Sequence, residues 1–289
     1  MDKFVINGPT RLSGEINISG SKNAALPIMT ACLAFPGKYT ISNIPNLRDT
    51  KTMLKLLAII GCKITHEEKS IIIDTRKCNN PEAPYDLVKT MRASFYVLGP
   101  LLSRFKYAKV SLPGGCAWGP RPINFHLEAF KKLGAKVTLD SGYILTEGDL
   151  KSAKIKFPIP SVGATGNVIM ACVNLEDEVE IKNASMEPEI VDLCNFYIKC
   201  GVRIEGVGTN KLKIKGIKPN NDLNIKYSII PDRIEAGTFL IAAAASKGNI
   251  KLNNCTHTHL TNVICKLKDV GATVLYDDNS VSIEMNDNI

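Results

Sequence analysis

The sequence lacks the marks of several large protein classes. No apolar run approaches the ~18 residues of a membrane span. The opening MDKFVINGPTRLSGEI has no apolar core of the signal-peptide kind. Aromatic residues make up only 6% of the chain, with a single tryptophan. The net charge is +8, yet Lys and Arg are interleaved with Asp and Glu and form no basic run. That sets nucleic acid aside and leaves small anionic ligands as the partners that fit the charge. Nine cysteines are scattered without close pairs of metal-ligand spacing. In a long chain without a signal peptide, this points to reduced thiols in a cytoplasm, with no metal centre and no membrane anchor.

What is present is an ordinary globular composition, 45% hydrophobic and 22% charged over 289 residues. That length supports one large domain or two of ordinary size. A repeat organises it. The segments LLAIIGCKIT, FKKLGAKVTL, YIKCGVRIEG and KLKDVGATVLY each end a helical pattern with glycine and then begin a strand. Their glycines, Gly61, Gly134, Gly201 and Gly271, are 73, 67 and 70 residues apart. A glycine there suits the left-handed position that closes a helix. An amphipathic helix precedes each one: Met53, Leu56, Leu57 and Ile60 form one stripe, and Leu260, Val263, Ile264 and Leu267 another. Two short alternating strands follow each glycine.

Upstream lies a second kind of helix, apolar nearly all round, in NAALPIMTACLA, ASFYVLGPLL, ATGNVIMACV and AGTFLIAAAA. Such helices are expected to be buried on every side. The unit reads βαβαββ over about 70 residues, and four copies nearly fill the chain. The buried helices start at comparable points, with Lys22, Arg92 and Arg233 at or just before three of them. Helix N-termini offer free N–H groups and a positive dipole end, so this pattern predicts an anion site.

The stretch SLPGGCAWGPRP places Cys116 among glycines and prolines, with Arg121 five residues on. Helix- and strand-breaking neighbours predict a loop, where a thiol near a cation is reactive. Glu187 and Glu189 in MEPEIVD begin a helix, so N-terminal capping or a domain contact is their expected role. CTHTH (Cys255, His257, His259) holds metal-like residues, but the other repeats have no equivalent, and no metal is assigned to it.

Five segments, ISGSKNAALPI, PYDLVKTMRAS, SLPGGCAWGPRP, SVGATGN and PDRIEAGT, occur together. With them the chain resembles the UDP-N-acetylglucosamine enolpyruvyl transferases from Met1 to about Met285. The resemblance implies an α/β fold, an inside-out α/β barrel of six βαβαββ units with three in each of two domains and the active site in the cleft between them. About four of the six units are present. It divides the chain into a complete three-unit domain, residues 22–229, and a partial second domain, residues 1–21 and 230–289. It implies enolpyruvyl transfer from phosphoenolpyruvate to the 3-hydroxyl of the sugar nucleotide, with release of phosphate and no cofactor. Cys116 would be the general acid and the group that fosfomycin alkylates. Lys22, Asn23 and Arg121 would hold phosphoenolpyruvate. Asn23, Arg92, Arg121, Pro122, Ile123, Asn124, Phe125, Ser161, Val162 and Gly163 would hold the UDP-sugar.

Departures accompany the likeness. Asn124 stands where the family usually has aspartate, and Trp118 and Pro120 replace smaller loop residues. Six units of about 70 residues need roughly 420. The aspartate expected just beyond Ile289 is outside the chain, and a complementing C-terminal segment is the partner this implies. Two alternatives stay open: a UDP-sugar-binding remnant without turnover, and a 3-phosphoshikimate 1-carboxyvinyltransferase.

Overall fold

The computed structural model describes residues 3–114, 123–218 and 223–285. The chain begins with β1 (Ser13–Asn17), α1 (Lys22–Ala31), β2 (Gly37–Ser42), α2 (Arg48–Ile60), β3 (Lys63–His66) and β4 (Ser70–Asp74). Next come β5 (Glu82–Ala83), α3 (Tyr85–Val88), a 3-10 turn (Arg92–Val97), α4 (Leu98–Phe105), β6 (Tyr107–Ser111), α5 (Asn124–Lys132), β7 (Lys136–Asp140) and β8 (Tyr143–Glu147). The third stretch holds β9 (Lys154–Lys156), α6 (Val162–Cys172), β10 (Val179–Lys182), α7 (Pro188–Lys199), β11 (Arg203–Glu205) and β12 (Lys211–Lys215). The last holds β13 (Leu223–Ser228), α8 (Arg233–Ala245), β14 (Asn249–Asn253), α9 (Thr261–Asp269), β15 (Thr273–Tyr276) and β16 (Ser280–Glu284).

Among the described residues these strands form four separate four-stranded sheets of one design. A parallel pair is followed by two antiparallel strands, as in β9-β10-β12-β11 and β5-β6-β8-β7. The four repeat glycines explain the common turn from amphipathic helix to hairpin. Gly61, Gly134, Gly201 and Gly271 have φ between +91° and +105°. The following N–H reaches back five residues in every copy: Cys62 to Leu57, Ala135 to Phe130, Val202 to Tyr197 and Ala272 to Leu267, at 2.9–3.0 Å. This closes each helix by a six-to-one bond that a left-handed residue makes possible.

The chain divides into two compact units, Met1–Ser21 with Pro231–Ile289, and Lys22–Ile230. Two strands exchange places between them. β1 precedes α1 in sequence but pairs parallel with β14, whereas β13 precedes α8 and pairs parallel with β2. Contiguous 70-residue repeats are therefore not the structural modules for the first and fourth copies. A strand ahead of a buried helix has the same local pattern whichever sheet it completes, so periodicity cannot reveal the exchange.

In the larger unit, α1, the Arg92–Val97 turn with α4, and α6 lie inside, and the amphipathic helices and sheets pack over them. Every residue of α6 from Ala164 to Cys172 is buried. The crossing of α4 and α6 is close. A Cβ at Gly99 would stand 2.3 Å from the Asn167 carbonyl oxygen, so only glycine fits. Two hydroxyls inside this core find backbone acceptors: Thr30 donates to Pro27 O at 2.8 Å and Tyr197 to Ala31 O at 3.2 Å.

The smaller unit differs from expectation at α8. Its Ala236, Gly237, Leu240 and Ala243 are buried, but Ile234 and Ile241 are 52% and 55% exposed. This helix has the composition of a fully enclosed one, yet among the described residues of its unit it is covered by one sheet, the 3-10 turn His257–Leu260 and α9.

Gly134 isolates the cost of the left-handed closure, because its nearest contact to an added Cβ is Asp149 O at 3.5 Å, ordinary packing. Gly134→Ala is expected to destabilise the chain by about 1–2 kcal/mol in urea denaturation. An unchanged midpoint would contradict the closure's role.

Candidate functional site

In the larger unit the sequence-selected residues cluster at helix starts. Lys22 opens α1, Arg92 opens the 3-10 turn, Asn124 opens α5 and Val162 opens α6. Ser161 caps α6, its hydroxyl accepting from Ala164 N at 3.4 Å and its carbonyl from Thr165 N at 2.9 Å. The first N–H groups of α6, around Val162 and Gly163, thus gather at one half-buried point. Lys22 is bound to the first turn of α2, with Nζ 3.2 Å from Asp49 Oδ2. Asn23 is exposed beside it, Ile123 and Phe125 are half-buried, and Asn124 is exposed. Cys116, Arg121 and Pro122 lie outside the described residues. The chain leading to them passes close to α3: a Cβ on Gly114 would stand 2.5 Å from Lys89 O.

A residue not singled out by sequence reasoning joins these pieces. His126 lies on the buried face of α5 with Leu127 and Phe130. Asn167 of α6 donates from Nδ2 to His126 Nδ1 at 3.1 Å and to Phe95 O at 3.0 Å, while its Oδ1 accepts from Gly99 N at 2.8 Å. With Nδ1 accepting, the neutral ring carries its proton on Nε2. That nitrogen faces the start of α6, 3.3 Å from where a Gly163 Cβ would be. The Phe95 ring packs edge-on at 5.0 Å. Burial, then the charge of Arg92, push the imidazole down to about 3. His126 and the Ser161–Gly163 turn are therefore brought together, with Arg92 near enough for its charge to act on the ring, and Phe125 leans on Phe157, with ring centres 6.4 Å apart. The arrangement sets a neutral N–H donor beside a helix N-terminus with a cation in electrostatic range, which suits an oxyanion. The sequence signal for His126 was faint, one histidine on the apolar stripe of α5.

Other candidates resolve differently. Glu187 sits at the start of α7 but makes no side-chain cap, and its Oε2 is buried without a hydrogen-bond partner. Glu189 is buried, and the two carboxylates, after burial, help push the Tyr96 phenol upward. In the CTHTH segment, Cys255 is buried and the His257 ring stacks on Tyr276 at 4.5 Å. Among the described residues no three His, Cys, Asp or Glu side chains could hold a metal ion.

The native state refuses a proton at His126, whereas the unfolded chain accepts one below about pH 6.5. This group therefore makes stability fall as the pH drops from about 6.5 toward about 3. The ring resonances of His126 should show no titration down to about pH 5 in NMR spectra. A midpoint near the free-histidine value would contradict the buried neutral ring.

Comparison with known proteins bears on the whole chain. The family model for EPSP synthase (3-phosphoshikimate 1-carboxyvinyltransferase) matches residues 6–288. UDP-N-acetylglucosamine 1-carboxyvinyltransferase of Geotalea daltonii is 47% identical over 285 residues, covering 98% of this chain and 68% of that protein. The protein of the same name from Chloroherpeton thalassium is 48% identical, covering 98% of this chain and 66% of its own length. Among solved structures, the enolpyruvyl transferase NikO from Streptomyces tendae superposes with a TM-score of 0.83 at 20% identity, over 96% of this chain and 67% of that one. EPSP synthase from Acinetobacter baumannii gives 0.71 at 17% identity, over 96% and 65%. These structures share the fold, and the sequence likeness is much closer. The repeat, the four sheets and these matches together make the chain a member of the 1-carboxyvinyltransferase family, closely similar to its UDP-N-acetylglucosamine branch.

Proposed function

We propose that this protein transfers the enolpyruvyl group of phosphoenolpyruvate to the 3-hydroxyl of UDP-N-acetylglucosamine, releasing phosphate, as the first committed step of peptidoglycan synthesis in the cytoplasm. The observation that carries the reading is identity of 45–48% to transferases of that name. The 17% identity to a solved EPSP synthase makes shikimate phosphate the weaker substrate reading. Among the described residues no helix is long and apolar enough to cross a membrane.

In this reading Cys116 protonates C-3 of phosphoenolpyruvate, leaving C-2 electron-poor, and the sugar 3-hydroxyl adds there and gives up its proton. Loss of a C-3 proton and of phosphate from the adduct then restores the vinyl group. A placed acid is typically worth ~10²–10⁴-fold. Cys116 would also be the target of fosfomycin. Lys22, Asn23 and Arg121 hold phosphoenolpyruvate. The sugar nucleotide is held by Asn23, Arg92, Arg121, residues Pro122 to Phe125 and the Ser161–Gly163 turn. The diphosphate sits over the start of α6, where the Nε2–H of His126 adds a donor and a guanidinium suits oxyanions better than an ammonium.

The chain spans 68% of the Geotalea relative, so a C-terminal segment supplying the sugar-hydroxyl aspartate is part of the proposal. Phe4, Val5 and Ile6, 99%, 74% and 88% exposed, and the open face of α8 are apolar surfaces such a segment would cover. The competing reading is a chain that binds the UDP-sugar without turnover.

Phosphate release should be measured with both substrates, for the 289-residue chain alone and with the separately expressed C-terminal third of a relative. Release is expected to require both substrates, to rise with the added segment and to fall at least ~10²-fold in Cys116→Ser. Binding of UDP-N-acetylglucosamine without release under any of these conditions would favour the remnant. Release with shikimate 3-phosphate instead would overturn the substrate. Arg92→Ala should weaken UDP-sugar binding roughly 10–100-fold in calorimetry, the loss of one charge-assisted contact; unchanged affinity would remove Arg92 from the site.

A further inference from the structure

The larger unit also contains a pair of thiols that the transferase reading does not use. Cys62 follows the glycine that closes α2, and Cys78 lies in the loop between β4 and β5. Their Sγ atoms are 3.1 Å apart, nearer than the roughly 3.5–4.0 Å of ordinary packing contacts between carbon atoms. The two backbones are held together independently of the sulfurs. Asn80 donates from N to Ile60 O at 3.3 Å and from Nδ2 to Ile59 O at 3.2 Å. The Cys78 Cα is 3.2 Å from where a Cβ on Gly61 would be. Bonding at about 2.05 Å asks the sulfurs to close by about an ångström while this frame stays in place.

The electrostatics give the two sulfurs different parts. Arg104 donates from Nη2 to Thr75 O at 2.9 Å, and Cys78 N donates to the same carbonyl at 3.1 Å. The guanidinium is thus held beside the Cys78 loop. The hydrogen bond from Cys62, then Arg104, lowers the Cys78 thiol, against burial and Asp74, while the same hydrogen bond and burial raise Cys62. With Arg104 held beside its loop, Cys78 is the sulfur placed to carry thiolate character. Cys194 and Cys200, by contrast, are pushed up to about 12 by burial alone. Both paired residues are buried, each with 6% of its surface exposed.

We propose that Cys62 and Cys78 are a redox-active dithiol that a hydroperoxide converts to an intramolecular disulfide. The Cys78 thiolate attacks the peroxide oxygen, breaking the O–O bond and forming a sulfenic acid while the leaving alkoxide or hydroxide takes up a proton. The Cys62 sulfur then displaces the sulfenic hydroxyl, which leaves as water with the Cys62 proton. Two electrons pass from the sulfurs to the peroxide, and one S–S bond forms.

The full chain should be treated with hydrogen peroxide, alkylated and digested with trypsin without reductant. The expected product joins LLAIIGCK, residues 56–63, to CNNPEAPYDLVK, residues 78–89, at a mass about 2 Da below the sum of the two, and dithiothreitol restores the separate peptides. In Cys62→Ser, dimedone should label Cys78; in Cys78→Ser it should leave Cys62 unlabelled. Separate alkylation of Cys62 and Cys78 at a peroxide dose that oxidises the exposed Cys265 would overturn the proposal. Dimedone labelling of Cys62 in Cys78→Ser would overturn the assignment of the attacking sulfur.

Discussion

The larger unit rests on enclosing helices that have almost no polar face to offer solvent, and Asn167 is where that enclosure meets polar chemistry. One buried amide bonds Gly99 N, Phe95 O and His126 Nδ1, joining α6 to α4 with its preceding 3-10 turn and to α5. A buried amide left without partners costs far more than it contributes when satisfied, so these contacts fix the mutual position of three elements. The same contacts set the histidine tautomer and aim its N–H toward the start of α6. Structure and candidate chemistry share one network.

That arrangement gives physical content to the proposed anion site. A neutral imidazole buried near an arginine cannot take a second charge, so it acts as a donor of fixed direction. The helix terminus contributes N–H groups that need no conformational change to meet an oxyanion. Lys22 reaches Asp49 on α2, which holds its ammonium near the start of α1. In the proposed function, such a place would meet an anionic substrate joined to a sugar diphosphate.

Much of this was legible in the sequence, and the residues show why. The repeat glycines announced themselves because a left-handed closure excludes most other residues, and all four have that backbone. Lys22, Arg92 and Val162 fall at helix starts because apolar runs with small residues mark those helices plainly. The periodicity did not show the strand exchange, since β1 and β13 look alike locally and only pairing distinguishes them; the family resemblance alone set residues 1–21 with the smaller unit. Nor was the open face of α8, whose burial depends on neighbours rather than on its own composition. His126 was hidden as one polar residue on an apolar stripe. Cys62 and Cys78, 16 residues apart, meet only because the β3–β4 hairpin returns the chain to the end of α2.

The central claim is that a sugar diphosphate sits at the start of α6. The most direct measurement follows the backbone amide resonances of Val162 and Gly163 and the ring of His126 as UDP-N-acetylglucosamine is added to the chain. The account predicts that these shift together and saturate with one binding curve. Perturbations confined to other helix starts, with Val162, Gly163 and His126 unmoved, would contradict it.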